Sequence, residues 1–183
     1  MRLFLAIKPD EKTIEQIGKL QEEIDTDLSE IRLLKPEQIH LTLKFLGEVD
    51  NNKLVKVIDC LNRIRFTEFS LELNGVGVFP DEAFIRIIWV GLGHNRELLL
   101  LQEQIDNGLH KIGFARDRKF HPHITIARVK FLKEKVAFLK NIRQLLTPNT
   151  SFIADKIILY KSTLTKQGPL YNAVKSFSCE NKT

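Results

Sequence analysis

Apolar and polar residues follow one another along this chain in patterns that predict a definite order of strands and helices. Alternation of the two kinds, or a short apolar run bounded by turn residues, is typical of β-strands. Such stretches occur at 2–8, 31–35, 40–46, 69–79, 84–91, 122–130, 152–162 and 170–178. Apolar residues spaced three and four positions apart predict amphipathic helices. They occur at about 10–26, 53–64, 95–112 and 132–146.

The order of these elements predicts the fold class. Strands often follow one another directly, which indicates an α+β fold with mainly antiparallel sheets. No linker-like tract divides the chain, so we predict one domain over residues 1–183. A strand that leads into an amphipathic helix occurs twice, at HLTLKFLGEV and at HITIARVKFL. This weak repeat predicts two similar lobes related by a pseudo-two-fold axis, with sheets flanking a central groove and helices outside.

Composition places the chain among ordinary globular proteins, since 43% of its residues are hydrophobic and 28% are charged. The formal net charge of +5 favours an anionic partner such as RNA or a phosphate ester, although many proteins with this charge bind no nucleic acid. The two cysteines, Cys60 and Cys179, suit a reducing cytosol. The apolar start MRLFLAIKPD is too short for a signal peptide, and no stretch is long enough to cross a membrane. A cytoplasmic location is therefore predicted.

Two of the predicted strands carry a histidine and a threonine separated by one apolar residue. They are His40 with Thr42, and His123 with Thr125. Because side chains at i and i+2 of a strand point to the same face, each histidine should lie beside its threonine. A single such triplet is a weak signal, since a lone strand histidine is more often structural. Two copies, each followed by a helix, indicate that the two histidines face each other across the groove.

Two opposed imidazoles suit general acid–base catalysis, since the unperturbed pKa of histidine is about 6.5. One histidine can take a proton from water while the other gives a proton to a leaving oxygen. The hydroxyl groups of Thr42 and Thr125 can hold the non-bridging oxygens of a phosphate. The pattern therefore predicts hydrolysis of a phosphodiester, with no metal and no cofactor required.

A zinc site is the alternative use of these residues. His121 and His123 are separated by one residue, a spacing that some metal sites use. Pro122 lies between them, however, and no cysteine or carboxylate at ligand spacing completes a set. The nearest acid, Asp117, lies in a charged loop. We therefore predict no metal site and a structural role for His121.

The paired motifs resemble those of the 2H phosphoesterase superfamily, which is defined by two H-x-[ST]-x motifs. Within it, the chain is similar to the bacterial and archaeal RNA 2′,3′-cyclic phosphodiesterases, historically called 2′-5′ RNA ligases. The similarity covers nearly the whole chain, through MRLFLAIKP, HLTLKFLGEV, VGVFP, IIWVGL, FHPHITIARVK and KSTLTKQGPLYNAV. The resemblance implies a two-lobed α+β fold and hydrolysis of an RNA or nucleoside 2′,3′-cyclic phosphate to a 2′-phosphate.

The resemblance also implies a role for each motif residue. His40 would give a proton to the 3′ leaving oxygen, and His123 would accept a proton from water. Thr42 and Thr125 would bind the phosphate. Two residues of the C-terminal segment, Ser162 and Tyr171, are expected to pack within strands rather than to line the groove.

Phe45 and Arg128 are implied by the resemblance to sandwich the base of the ligand, an arrangement that binds any base with little preference. Both have odd offsets from the motif histidines, so a regular strand would point them away from the groove. A bulge or twist near 44–46 and 127–129 would be needed to turn them inward. The same alternation puts Lys44 on the groove face, where it would contact phosphate or lie at a solvent-exposed rim.

The expected partners are RNA ends or small cyclic nucleotides that carry a 2′,3′-cyclic phosphate. No membrane partner is expected, and the protein is expected to be a monomer. One alternative is the reverse reaction, in which the same residues join tRNA-half-like ends through a 2′-5′ linkage, although the high concentration of water favours hydrolysis. The other alternative is a non-catalytic module that binds RNA ends. Two opposed acid–base groups argue against it, because binding alone does not require them.

Overall fold

The computed structural model describes residues 1–166 and 168–180 of the chain. The strands are β1 (Arg2–Ile7), β2 (Ser29–Leu33), β3 (Leu41–Glu48), β4 (Phe69–Pro80), β5 (Ile85–Leu92), β6 (His123–Leu132), β7 (Ser151–Ala154), β8 (Lys156–Thr165) and β9 (Gly168–Ser178). The helices are α1 (Glu11–Glu22), α2 (Asn51–Leu61), α3 (Arg96–Lys111) and α4 (Lys135–Gln144). Short 3-10 turns lie at Thr26–Leu28 and Pro36–Gln38. The predicted α+β class is confirmed.

Side-chain caps determine where three of the helices begin. Asp10, Asp50 and Asn95 each accept a hydrogen bond, at 2.8 Å, from the backbone N–H three positions later. The first helix ends earlier than its apolar pattern predicts, because Asp25 accepts from the N–H of Asp27 and starts a separate 3-10 turn. Each helix buries its apolar stripe against the sheet, as Ile17, Val57, Ile105 and Phe138 show with 0% exposure. No helix of the described residues is long and apolar enough to span a membrane.

The strand order in the sheet is symmetric about its centre. It runs β7-β4-β5-β6-β3-β1-β8-β9, with β2 added alongside β6. Four strands of this path lie on each side of the boundary between β6 and β3. The two strands at the boundary carry the His-x-Thr motifs, and each is followed by a helix, α4 after β6 and α2 after β3. This arrangement is the pseudo-two-fold relation that the repeat predicts.

The two halves of the sheet meet at a single residue pair within the described part of the chain. Leu41 of β3 pairs with Ile124 of β6. Beyond that pair the strands diverge, since β3 continues beside β1 while β6 continues beside β5 and β2. The predicted sheets are therefore joined at one point, and the groove opens where their central strands separate.

The stretch 152–162, predicted as one strand, contains parts of two. β7 pairs with β4 in one half of the sheet, whereas β8 pairs with β1 and β9 in the other. The apolar pattern continues across Asp155 without a Gly or Pro to mark the break. The chain crosses from one half to the other here, which local sequence does not signal.

Candidate active site

The pair Leu41 and Ile124 lies at the vertex of the groove. Both side chains are 0% exposed and point into the core. The residues before and after each of them therefore point to the opposite face of the sheet. These residues line the groove and are the four predicted catalytic groups, His40, Thr42, His123 and Thr125.

The antiparallel register brings each histidine next to the threonine of the other strand. Extending the pairing of the two central strands places His40 opposite Thr125 and Thr42 opposite His123. The groove around them has a volume of about 610 Å³. A phosphate between the strands would therefore meet two imidazoles and two hydroxyl groups.

The two imidazole rings are oriented by the same kind of hydrogen bond. Nδ1 of His40 lies 2.7 Å from the carbonyl oxygen of Gln38, and Nδ1 of His123 lies 2.7 Å from the carbonyl oxygen of His121. A carbonyl oxygen can only accept, so Nδ1 carries the proton in both rings. Nε2 of each neutral ring then keeps its lone pair, and Nε2 is the atom that can exchange a proton with a ligand.

Burial lowers the pKa of both histidines. For His40, burial together with the positive charges of Arg128 and His123 lowers the pKa to about 4, although the hydrogen bond to Gln38 opposes the shift. For His123, burial and the neighbouring His121 also lower the pKa. Both rings are therefore neutral at pH 7 without a ligand. A bound phosphate anion would raise both pKa values, because a nearby negative charge favours imidazolium.

Aromatic rings close one side of each histidine, and the sequence reasoning gave them no role. The ring of Phe4 lies 4.9 Å from that of His40, and the ring of Phe79 lies 4.9 Å from that of His123. Both phenylalanines line the groove. They remove water from the imidazoles and so account for part of the lowered pKa values.

Phe45 and Arg128 line the groove because each central strand has a bulge. The pairing of β3 with β1 skips Leu43, and the pairing of β6 with β5 skips Ile126. Each extra residue reverses the alternation of the strand, so Phe45 and Arg128 turn to the face of the motif histidines. The side chain of Phe45 is 71% exposed there. These two bulges lie one residue before the predicted ranges, and a second irregularity of β3, at Leu46, lies within the range 44–46.

The bulge in β3 also moves Lys44 to the opposite face, so its predicted position at the groove or its rim is wrong. Its side chain is 2% exposed, and Nζ lies 2.5 Å from Oδ1 of Asp106 and 3.1 Å from Oδ1 of Asp117. Nζ also donates to the carbonyl oxygen of Ala115 at 2.9 Å. Burial alone would raise the pKa of Asp106, but hydrogen bonds from Lys44 and from the backbone N–H of Asp117 lower it. This network ties β3 to α3 and to the loop before β6.

Ser162 and Tyr171, which were expected to pack within strands, line the groove from β8 and β9. Arg2 and Arg32 also line it, and the sequence reasoning missed both. Arg32 packs against Gly168, whose φ of +113° suits glycine and where a Cβ would overlap the guanidinium. Arg2, Arg32 and Arg128 together give the groove a positive charge.

The ring of His121 packs among the aromatic rings at the edge of the groove. Its ring lies 5.2 Å from that of Phe79 and 5.0 Å from that of Trp89. Within residues 1–166 and 168–180, no three His, Cys, Asp or Glu side chains are placed to hold a metal ion. His121 therefore orients His123 through its carbonyl oxygen, and its ring packs against Phe79 and Trp89.

The chain matches a known protein family in both halves. The model of the family described as LigT like phosphoesterase matches residues 7–89 and 91–171. Each matched stretch contains one of the two His-x-Thr pairs. The family match therefore includes both motifs on the two central strands.

Similar proteins align over almost the whole chain. The RNA 2′,3′-cyclic phosphodiesterase of Methanocaldococcus jannaschii is 38% identical over 178 residues, which cover 97% of this chain and 100% of that protein. The protein of the same name from Thermotoga maritima is 35% identical, and the alignment covers 98% of this chain and 95% of that protein. TT0787 of Thermus thermophilus has a similar structure, with a TM-score of 0.85, 26% identity and 97% of both chains covered. The structure of E. coli LigT complexed with 3′-AMP is also similar, with a TM-score of 0.80, 26% identity and 98% of both chains covered.

Proposed function

The chain belongs to the LigT-like phosphoesterase family, and from this premise we propose that it hydrolyses the 2′,3′-cyclic phosphate of RNA ends or nucleotides to a 2′-phosphate. The observation that carries the proposal is the pair of imidazoles held by Nδ1 in one groove that Thr42 and Thr125 also line. We expect the protein to act as a monomer in the cytoplasm.

In the proposed reaction His123 takes a proton from water through Nε2 as the water oxygen attacks phosphorus. His40 gives its Nε2 proton to the 3′ oxygen as the bond between that oxygen and phosphorus breaks. Thr42 and Thr125 donate hydrogen bonds to the non-bridging oxygens and follow the charge that develops there. The negative charge of the bound cyclic phosphate supplies the rise in pKa that His40 needs in order to be protonated at the start.

Turnover of 2′,3′-cyclic AMP in the presence of EDTA tests this proposal. We expect full activity with the chelator, because the four motif residues supply the acid, the base and the phosphate contacts. Phosphorus NMR of the product should show a 2′-phosphate. A 3′-phosphate product would contradict the assignment of the leaving oxygen, and activity lost with EDTA would contradict the metal-independent mechanism.

The pH dependence of kcat/KM is expected to be bell-shaped with a maximum below pH 6.5. This parameter reports the free enzyme, in which the pKa of His40 is about 4 and that of His123 is also lowered. The rate falls towards acid as the base becomes protonated, and it falls towards alkali as the acid loses its proton. The profile of kcat should lie at higher pH, since the bound anion raises both pKa values. A kcat/KM maximum above pH 7 would contradict this electrostatic picture.

Phe45→Ala and Arg128→Ala are each expected to raise KM by about 5- to 150-fold with a smaller effect on kcat, since stacking on a base is worth about 1–3 kcal/mol. Phe131→Ala is the matched control for the first variant, because Phe131 is 62% exposed and lies further along β6. Arg86→Ala is the matched control for Arg128→Ala, because Arg86 is exposed and is not among the residues that line the groove. Steady-state kinetics on a cyclic mononucleotide gives both constants, and an unchanged KM would remove the assigned role.

A further inference from the structure

A second cavity adjoins the groove on the other side of Tyr171. It has a volume of about 410 Å³ and lies between the 3-10 turn at Pro36–Gln38 and the hairpin formed by β8 and β9. The two cavities share Pro169 and Tyr171 as a wall. The two cavities therefore lie side by side.

We infer that the second cavity binds the phosphodiester immediately upstream of the terminal nucleotide, so that the enzyme prefers RNA ends of two or more nucleotides to cyclic mononucleotides. The inference rests on the proposed function. An RNA end with a 2′,3′-cyclic phosphate continues from the 5′ oxygen of its last nucleoside. A cyclic mononucleotide ends there in a hydroxyl group and brings no second phosphate.

The charges of the second cavity suit a phosphate. Lys35 contributes an ammonium group from the turn, and Lys166 contributes one from the hairpin. Both side chains are exposed at the surface of the cavity, as expected for lysines that hold a phosphate by point charge. Glu37 is the one acidic residue among the lining residues that the structure describes. The lining therefore keeps a net positive charge.

Arginines of the groove continue this positive charge towards the catalytic residues. Arg32 of β2 pairs with Arg128 of β6 across the two strands. The guanidinium of Arg32 packs against Gly168, which lines the second cavity. The positive charges therefore run from the proposed base site to the second cavity, and a polyanion bound in the groove is attracted along this line.

One residue fixes the second cavity relative to the catalytic histidine. Gln38 is 8% exposed, and its Nε2 donates to the carbonyl oxygen of Pro169 at 2.8 Å. Its Oε1 accepts from the backbone N–H of Lys35 at 3.2 Å, and its own carbonyl oxygen accepts from Nδ1 of His40 at 2.7 Å. The cavity wall and the imidazole are thus held at a set separation, so a second phosphate is bound without a large ordering cost.

Kinetics on 2′,3′-cyclic AMP and on the adenosine trinucleotide with a 2′,3′-cyclic phosphate test the inference. We expect a higher kcat/KM for the trinucleotide and a steeper fall with salt, by about 0.7 in logarithmic slope for each additional phosphate bound. Lys35→Gln and Lys166→Gln should each lower the ratio of trinucleotide to mononucleotide kcat/KM by up to about fivefold. Glu37→Gln should raise this ratio.

Lys56→Gln is the matched control, since it removes the same charge from an exposed lysine on α2, beside α3. The ratio should not change in this variant. Three results would overturn the inference but not the proposed function. They are no preference for the trinucleotide, a ratio that does not change in Lys35→Gln and Lys166→Gln, and an equal fall of the ratio in Lys56→Gln. Wild-type protein that hydrolyses neither substrate would instead overturn the proposed function, and the inference with it.

Discussion

Replacing either His40 or His123 by alanine is expected to lower kcat for a 2′,3′-cyclic nucleotide by about a hundredfold to ten-thousandfold. Each ring presents Nε2 to the groove, because its Nδ1 donates to a backbone carbonyl oxygen at 2.7 Å. Loss of one ring removes either the proton acceptor for water or the proton donor for the leaving oxygen. Single-turnover measurements with saturating substrate separate this loss from any change in binding.

The double variant His40→Ala/His123→Ala should be scarcely slower than the slower single variant, because the acid and the base act as a unit. Each single variant should also lose one limb of the pH profile. Two controls have small expected effects. His94→Ala removes an exposed histidine outside the groove. His121→Ala removes a neighbouring ring but keeps the carbonyl oxygen that orients His123.

Thermal unfolding should show that the variants fold. His40→Gln provides a second test should the alanine variant be unstable, since glutamine fills more of the space and cannot act as an acid or base near neutral pH. Activity within tenfold of wild type in a folded variant at either position would contradict the two-histidine mechanism.

The arrangement of the motif residues could be predicted from the sequence because it depends on a local rule. Alternation in a strand places His40 beside Thr42 and His123 beside Thr125, and both pairs lie before the point where their strand becomes irregular. Helix starts were likewise set by neighbouring residues. Asp10, for example, accepts the N–H of the residue three positions later.

The orientation of the residues after the motifs could not be predicted, because it depends on bulges that no Gly or Pro marks. The extra residues are Leu43 and Ile126, ordinary strand formers whose irregular pairing appears only against β1 and β5. One residue of displacement was enough to reverse the expected faces of Phe45 and Lys44. The partner of Lys44, Asp106, lies 62 residues away in sequence, so no local pattern identified the ion pair.

Lys44→Met is expected to lower the free energy of unfolding by about 3–5 kcal/mol at pH 7, because it leaves the buried carboxylate of Asp106 without its nearest counter-charge. The side chains of Lys44 and Asp106 are 2% and 10% exposed. Lys130→Met is the matched control. Lys130 lies 2.6 Å from a carboxylate oxygen of Glu30, but these side chains are 78% and 56% exposed. Such a surface pair is worth about 1 kcal/mol or less. Urea unfolding followed by linear extrapolation measures both losses.

The pH dependence of the loss distinguishes an uncompensated charge from a simple packing defect. In the wild type the folded-state pKa of Asp106 lies below its ordinary value of 3.8, so its contribution to stability is present above that pH and is lost as pH falls through the folded pKa. Without Lys44, burial still raises the pKa of Asp106 while part of what lowers it is lost, so the folded variant takes up a proton more readily than the folded wild type. The deficit of Lys44→Met relative to wild type should therefore shrink towards acid pH.

A double variant tests the same cause at neutral pH. Lys44→Met/Asp106→Leu removes both charges of the closest pair, and an apolar pair of similar volume costs little where a buried ion pair stood. Asp117 is 35% exposed, so water can solvate the carboxylate that remains. The double variant should thus regain most of the stability that Lys44→Met loses. A deficit that grows towards acid pH, or a double variant less stable than the single one, would mean that the lysine stabilises β3 by packing rather than by charge.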